Sequence, residues 1–483
     1  MVLKSPTPVL VEGLLTGSSR LRRRAISLTR FKRRLRDMVL RETRDVLRGE
    51  PPAASPLRPV GTDAPSDDRV NQVVELCLQV GDALLSNGEA AADAISAMTR
   101  LAGGLGLTTV EIDITFTSIT MTCRRGRTVA SVTAMRIVHY RSTDLSRLAA
   151  ITHIIDDVAR GELGVEAADQ ALIDAVNAPH QYPRWVATAG WGGLSAALAL
   201  LLGGGPVTWL TAFVISAGID RIGRVLSRRD LPPFFLQMVG GFMATVSTLG
   251  LLALGAPPSV VEPSLVIAAS ITVLLSGLSV VNAVQDAISG QPVTAAGRGV
   301  EVALLSAGLL AGVVIGLKIG VAFQLSLDPA GPLTADLTQF GVSTLAAAIA
   351  AGAYALAGYA PPRSLAAAGL AGGVGWAAYG ARALIAQLGP VVATGLAAVV
   401  IGCASELIGR HTRVDRHVIV LAGIVPLLPG LATYRGFYEL ASAQQVEVGL
   451  VTLTLALAIG LALAAGVTLG QFIAQPRRAP GTA

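Results

Sequence analysis

The chain has 483 residues, 52% hydrophobic and only 14% charged, where an ordinary soluble protein carries about 25% charged residues. This composition excludes a purely soluble protein; ionisable residues crowd into the first third, so a soluble N-terminal part and a membrane part are expected. The net charge of +6 is local, because 20–48 alone holds twelve basic and three acidic residues, so it gives no ground for a nucleic-acid-binding fold.

Residues 1–66 form a basic arm. Leu21, Ile26, Phe31, Leu35, Met38 and Leu47 recur near helical spacing among the arginines. That pattern fits an amphipathic helix on anionic lipid or a solvated tail with no fixed partner, and both readings stay open. No basic lead, apolar core and cleavage site opens the chain, so no secretory signal is expected. The stretch 51–65 is Pro-rich and reads as disordered.

Residues 67–184 read as a cytoplasmic α+β domain. Val70, Val73, Val74, Cys77, Val80 and Leu84 share one face of a helix that Asn87-Gly88 ends, and a second helix follows over 90–101. Val110, Ile112, Ile114 and Phe116 alternate with polar residues as a half-buried strand. Strands at 119–123 and 129–140, around an Arg125-Gly126 turn, and helices near 145–158 and 167–176 complete it. Cys77, Cys123 and Cys403 show no disulfide framework or zinc spacing, which fits a reducing compartment.

Ten apolar spans follow, at 187–203, 206–224, 234–255, 263–281, 299–323, 337–359, 364–388, 390–408, 417–432 and 447–473. Several approach the roughly 20 residues a bilayer crossing needs, and the short ones must be broken or tilted. Gly312, Gly316 and Gly320, like Gly466 and Gly470, are spaced for close helix contact. Arg221, Arg224, Arg228, Arg229, Arg363, Arg410, Arg413, Arg416, Arg477 and Arg478 follow even-numbered spans, which places those loops and both termini in the cytoplasm. Arg435 is an exception on the outer side.

The spans divide into two membrane halves, 185–325 and 326–475, with 476–483 as a tail. Aligning 274–290 with 427–443 matches Leu274, Leu275, Gly277, Leu278 and Ser289 to identical residues, and Asp286 to Glu439. Each segment is fourth in its set of five. A copy displaced by five crossings lies upside down, so a polytopic α-helical fold built as a 5+5 inverted repeat with broken helices is expected.

The breaks at Ser276-Gly277 and Pro429-Gly430 are where chemistry is expected, because irregular backbone at membrane depth must face protein or a cavity. Asn282, Gln285 and Asp286 follow the first break, and Tyr434, Arg435, Tyr438 and Glu439 the second. Arg435 could meet a carboxylate, Asp286 or Glu439 an amine, and either acid could carry a proton. These residues could equally end each span at headgroup level. Of the other ionisable groups near the membrane, Asp220, Arg298, Glu301, Lys318, Arg382 and Glu406, most can snorkel, and Glu406 is spaced to pair with Arg410. No HExxH, Walker A or nucleophile-elbow motif appears, and the spacing of His139, Asp144, His153, Asp156 and Asp157 matches no ligand pattern. No cofactor and no metal site is expected.

The segments NGEAAADAISAMTRLAGGLGL (87–107), VVNAVQDAISGQPVTAAGR (280–298) and IVPLLPGLATYRGFYEL (424–440) resemble the bacterial threonine/serine exporter family over about 67–472. QDAISG and PLLPG are the most specific matches. The resemblance implies secondary export of L-threonine and L-serine across the plasma membrane, driven by protons. Split relatives are linked to succinate, so a dicarboxylate remains an alternative substrate, and a membrane-anchored enzyme or sensor acting through the soluble domain is the alternative from another class. Ser276 stands where many relatives have Pro, which argues for a gentler first break. Homo-oligomerisation stays open.

Overall fold

The computed structural model describes residues 67–125, 129–139, 144–275, 277–324, 339–381, 388–411, 414–441 and 446–474. The basic arm with its expected amphipathic helix, and Gly126, Tyr140, Ser276, Arg382, Arg413, Arg477 and Arg478, lie outside the described residues. The described residues all belong to one compact unit.

The first elements are α1 (Asp67–Ser86) and α2 (Ala91–Gly104), then β1 (Val110–Thr115), β2 (Ser118–Cys123) and β3 (Val132–Ile137), then α3 (Leu145–Ala159) and α4 (Val165–Asn177). The predicted face of α1 is the buried one: Val70, Val73, Val74, Cys77, Val80 and Leu84 all enter the core. The strands make one antiparallel sheet in the order β1-β2-β3. Ile119, Met121 and Cys123 of β2 turn inward, which is the period-two alternation of a half-covered sheet. β1 stops at Thr115, short of the expected alternation through Thr117. Phe116 takes a left-handed φ of 57° at the hairpin tip instead of continuing the strand.

Helices stand at all ten predicted membrane positions. They are α5 (Arg184–Leu201), α6 (Pro206–Ser227), α7 (Pro233–Ala253), the short α8 (Pro258–Val261), α9 (Pro263–Leu274), α10 (Gly277–Ile288) and α11 (Pro292–Ala322), followed by α12 (Phe340–Ala357), α13 (Pro362–Gly380), α14 (Pro390–His411), α15 (Arg416–Ile424), α16 (Gly430–Ala441) and α17 (Val446–Ala474). Among the described residues, 5 helices are long and apolar enough to cross a membrane, and up to 7 if each bent pair counts as one span. The architecture is therefore that of a polytopic helical membrane protein.

Both expected breaks occur. The chain bends by 49° between α9 and α10 and by 46° between the α15 segment and α16. The first bend matches the second in size although Ser replaces Pro there. Leu275 (φ −63°, ψ 129°) and Leu428 (φ −61°, ψ 138°), which the sequence alignment superimposes, end their helices in the same extended conformation. The predicted fourth span runs on to 281, but the helix ends at Leu274, and α10 starts at Gly277 and reaches Ile288.

The neighbours of each helix recur between halves: α7 packs on α11 as α14 packs on α17, and α10 meets α17 as α16 meets α11. Gly312 lies against the Met238 carbonyl and Gly470 against the Val399 carbonyl, so close that a Cβ at either would overlap backbone. Lipid supplies no hydrophobic drive between helices, so such close approach is what holds these seams. The 31 residues of α11 span about 46 Å at a rise of 1.5 Å per residue. That exceeds a hydrocarbon core of about 30 Å, so its first turns can stand clear of lipid and meet the α+β layer.

Candidate functional site

The α+β layer meets the membrane helices at a polar seam around the start of α2. Helix α1 ends at Ser86, and Gly88, at φ +93°, reverses the chain into α2. The N-cap residue of α2 is Ala90, which has no side-chain oxygen to satisfy the first amides. Asp286 of α10 supplies it. Its Oδ1 accepts from the Ala91 amide at 2.8 Å and the Ala92 amide at 3.4 Å. A carboxylate there also meets the positive end of the α2 dipole. The Asp286 side chain is fully buried, so it needs a counter-charge. Arg298 of α11 provides one, with Nη1 at 2.9 Å from Asp286 Oδ2 and Nη2 donating to the Glu89 carbonyl at 3.0 Å.

The same face of α10 carries the other two predicted residues. Asn282 Nδ2 donates to the Gly88 carbonyl, and Gln285 Nε2 donates to Asp93 Oδ2, both at 2.7 Å. On the far side of the turn, His417 Nδ1 of α15 lies 2.8 Å from Glu89 Oε1. Burial pushes the Asp93 carboxyl above its ordinary value of 3.8, and His417 and Gln285 oppose that shift. Glu89, Asp93 and His417 bring ligand-type atoms within 4.8 Å of one another, yet each already has a protein partner, so the arrangement reads as a hydrogen-bonded cluster. Nearby, Glu406 pairs with Arg410 as its spacing predicted (3.5 Å) and also with Arg416 (3.2 Å). The hairpin tip adds another contact: the Phe116 amide donates to Thr294 Oγ1 at 3.0 Å, and that hydroxyl donates to the Ile114 carbonyl at 2.6 Å.

The second-half residues lie elsewhere. Gly430, after Pro429, abuts Thr272 of α9, where a Cβ would overlap the threonine side chain. The two interrupted helices therefore touch beside their breaks. A cavity of about 210 Å³ opens there, lined by Thr272, Trp376, Thr394, Pro429, Gly430 and Arg435. Tyr434 is buried, with Tyr438 beside it at a ring separation of 6.4 Å. Glu439 Oε2 accepts from Thr452 Oγ1 at 2.6 Å. A second cavity, of about 320 Å³, lies between α6, α7 and α9, and Val273 and Leu274 line it.

The predicted residues thus form two groups. Gly277 opens α10, and Asn282, Gln285 and Asp286 hold the α+β layer, whereas Pro429, Gly430 and Arg435 line the break cavity. Sequence reasoning missed Glu89, Asp93 and His417 and the pairing of Arg298. The available signal was a polar, carboxylate-bearing turn, NGEAAAD, in a segment that already carried the family resemblance. The acids singled out in the α+β layer are in structural roles: Asp144 caps α3 and lies 3.0 Å from His180, Asp156 pairs with Arg100, and Asp157 with Arg160. His139 and His153 are exposed.

Residues 75–320 match the family model described as "Putative threonine/serine exporter", and residues 343–473 match that described as "Threonine/Serine exporter, ThrE". The chain is 35% identical over 466 residues to a "Probable threonine/serine exporter" of Mycobacterium tuberculosis, covering 93% of this chain and 84% of that one. It is 33% identical over 441 residues to a "Threonine/serine exporter" of Corynebacterium glutamicum, covering 91% and 89%. It is 28% identical over 247 residues to a "Probable succinate transporter subunit YjjP" of Escherichia coli, covering 51% of this chain and 94% of that one. No solved structure is significantly similar to it. Two family models that together take in most of the chain, with relatives above 30% identity along most of both lengths, establish that this chain belongs to the threonine/serine exporter family.

Proposed function

We propose that the protein exports small hydroxy amino acids, L-threonine and L-serine, across the bacterial plasma membrane by proton-coupled alternating access between two inverted halves. The observation that carries this reading is the contact of Gly430 with Thr272, with a cavity on either side of α9. Ser270, Val273 and Leu274 line one cavity and Thr272 the other, so a single broken helix is the wall between them. The basic loops after α6 and α14 orient the larger cavity towards the cytoplasm and the smaller one outward. The matched bends at Leu275 and Leu428 and the recurring helix neighbours support a 5+5 repeat, and rocking one half against the other would shift that wall.

In this reading Asp286 stands at the cytoplasmic end of α10 and Glu439 at the outer end of α16. A proton on Asp286 removes the charge that holds Arg298 and weakens the cap on α2, so the proton gradient can act on the docking of the α+β layer. Asn282 and Gln285 hold that docking, Tyr434 and Tyr438 brace α16, and Arg435 meets the solute carboxylate in the outer cavity. Both termini are cytoplasmic.

Efflux of labelled threonine from dipeptide-fed cells tests the reading, with succinate as the comparison solute. Threonine efflux should collapse when the gradient is discharged, and Asp286→Asn and Glu439→Gln should abolish it while membrane insertion persists. Efflux of succinate alone would overturn the substrate, and gradient-independent efflux would overturn the coupling.

A further inference from the structure

The larger cavity has a lining that the export reading does not by itself explain. It is about 320 Å³ in volume, walled by Trp191 of α5 and by residues of α6, α7 and α9. Three polar atoms at its surface, Ser216 Oγ, Gln237 Oε1 and Ser270 Oγ, are buried with no hydrogen-bond partner among the described residues. Ser270 is wholly buried and Ser216 is 2% exposed. Buried polar atoms are rarely left unmatched, because each orphan costs about 1–3 kcal/mol. Other membrane hydroxyls here follow the usual escape: Thr245, Thr248 and Thr272 donate to the carbonyl four residues back. Ser216 and Ser270 do not.

A charged pair completes the wall. Arg224 Nε donates to Asp220 Oδ1 at 3.0 Å and its Nη2 lies 2.9 Å from Oδ2, while Thr188 Oγ1 donates to that Oδ2 at 2.7 Å. Asp220 is thus held on α6, one turn before Arg224 and one turn after Ser216. The cavity presents an anion, a cation, two free hydroxyls and a free amide oxygen within a space suited to one small solute.

We propose that this cavity is the cytoplasmic loading site and that it selects for the solute's hydroxyl. Asp220 takes the solute ammonium, Arg224 its carboxylate, and the trio Ser216, Gln237 and Ser270 its hydroxyl. A hydroxyl both donates and accepts, so it can give its proton to Gln237 Oε1 and accept from a serine. Valine, nearly isosteric with threonine, would fill the space and leave all three atoms orphaned. Sites built to hydrogen-bond a substrate hydroxyl reject the analogue lacking it far more strongly than apolar pockets reject a shape. The inference rests on the export reading, since it assigns a solute that must be carried.

Uptake of labelled L-threonine and L-valine into inside-out membrane vesicles, from cells producing the full chain, tests it. Ser270→Ala, Ser216→Ala and Gln237→Leu should each raise the threonine KM about tenfold or more and narrow the threonine-to-valine preference. Arg224→Gln should raise KM for both solutes alike. Because the serine hydroxyls lack partners, Ser270→Ala should also raise the Tm of the purified protein, which a merely structural hydroxyl would not do. Wild-type uptake with unchanged KM and preference in the three variants would show that the cavity holds only water and would overturn the proposal, leaving export intact. Absence of threonine uptake in wild-type vesicles would overturn the export reading and this site with it.

Discussion

Asp286 caps a helix to which it does not belong: its Oδ1 accepts from the Ala91 amide at 2.8 Å across the seam between the α+β layer and α10. The carboxylate near the end of the first broken segment therefore acts on the α+β layer that precedes it in the chain. Arg298 closes the arrangement by holding both Asp286 and the Glu89 carbonyl.

Removing one member of that pair should be far worse than removing both. Asp286→Ala strands a buried guanidinium, and loss of one partner of a buried pair costs about 3–5 kcal/mol. The α+β layer should loosen, with a lower Tm in detergent and faster proteolysis at the turn 87–90. The double variant Asp286→Ala with Arg298→Met should recover part of the loss. A strictly additive cycle would contradict the pairing.

Gly430 should tolerate no side chain. Its Cβ position is occupied by Thr272, so Gly430→Ala must push α9 and α16 apart or shift the break. Export should fall sharply while the protein still inserts, and Thr272→Ala, which removes the closest atoms, should restore part of it. Normal export by Gly430→Ala would show that the two breaks need not touch.

The glycine seams should respond alike in the two halves. Gly312→Val and Gly470→Val each drive a branched side chain into backbone, at a cost of about 1–3 kcal/mol or more. Thermal unfolding of the purified variants checks this. A Tm drop in one variant only would mean that the seams are not equivalent.

Burial raises the Asp93 carboxyl above 3.8. The folded state then keeps a proton that the unfolded chain releases, so this group's contribution to stability falls as pH rises from 3.8 through the raised value. Asp93→Asn, which mimics the protonated form and can still accept from Gln285, should have a higher Tm than wild type at pH near 7. The difference should close as pH approaches the unfolded value. A Tm difference independent of pH would rule this out.

Cys77 should be silent towards thiol reagents. It is wholly buried, and burial pushes its thiol from 9.0 up to about 12, leaving almost no thiolate near pH 8. Maleimide should label it only after denaturation. Labelling of Cys77 in the folded protein would show that α1 opens.

Much of the fold was legible because its causes are local. Apolar runs marked where helices stand, though only 5 of the described helices, or up to 7 counting bent pairs, are long and apolar enough to cross a membrane, and the face of α1 followed from spacing alone. The breaks were legible too, since Gly277 and Pro429-Gly430 interrupt helices through backbone chemistry that needs no partner. Leu275 and Leu428 adopt the same conformation although Ser276 follows one and Pro429 the other; a preceding Leu and a Gly two residues on are shared.

The partners of the polar residues were decided only by tertiary structure. The sequence placed Asn282, Gln285 and Asp286 after the first break but could not say that they meet Gly88, Ala91 and Asp93, nearly two hundred residues earlier. A carboxylate's role depends on which donors surround it, and those donors arrive from α2 and α11 only when the layers dock. Arg298, expected to snorkel, is instead buried because Asp286 supplies its counter-charge. The polar cavity at Ser216, Gln237 and Ser270 was hidden for the same reason. Each residue reads alone as an ordinary small or polar residue in a helix, and only the packing of α6, α7 and α9 leaves their oxygens facing one space without partners.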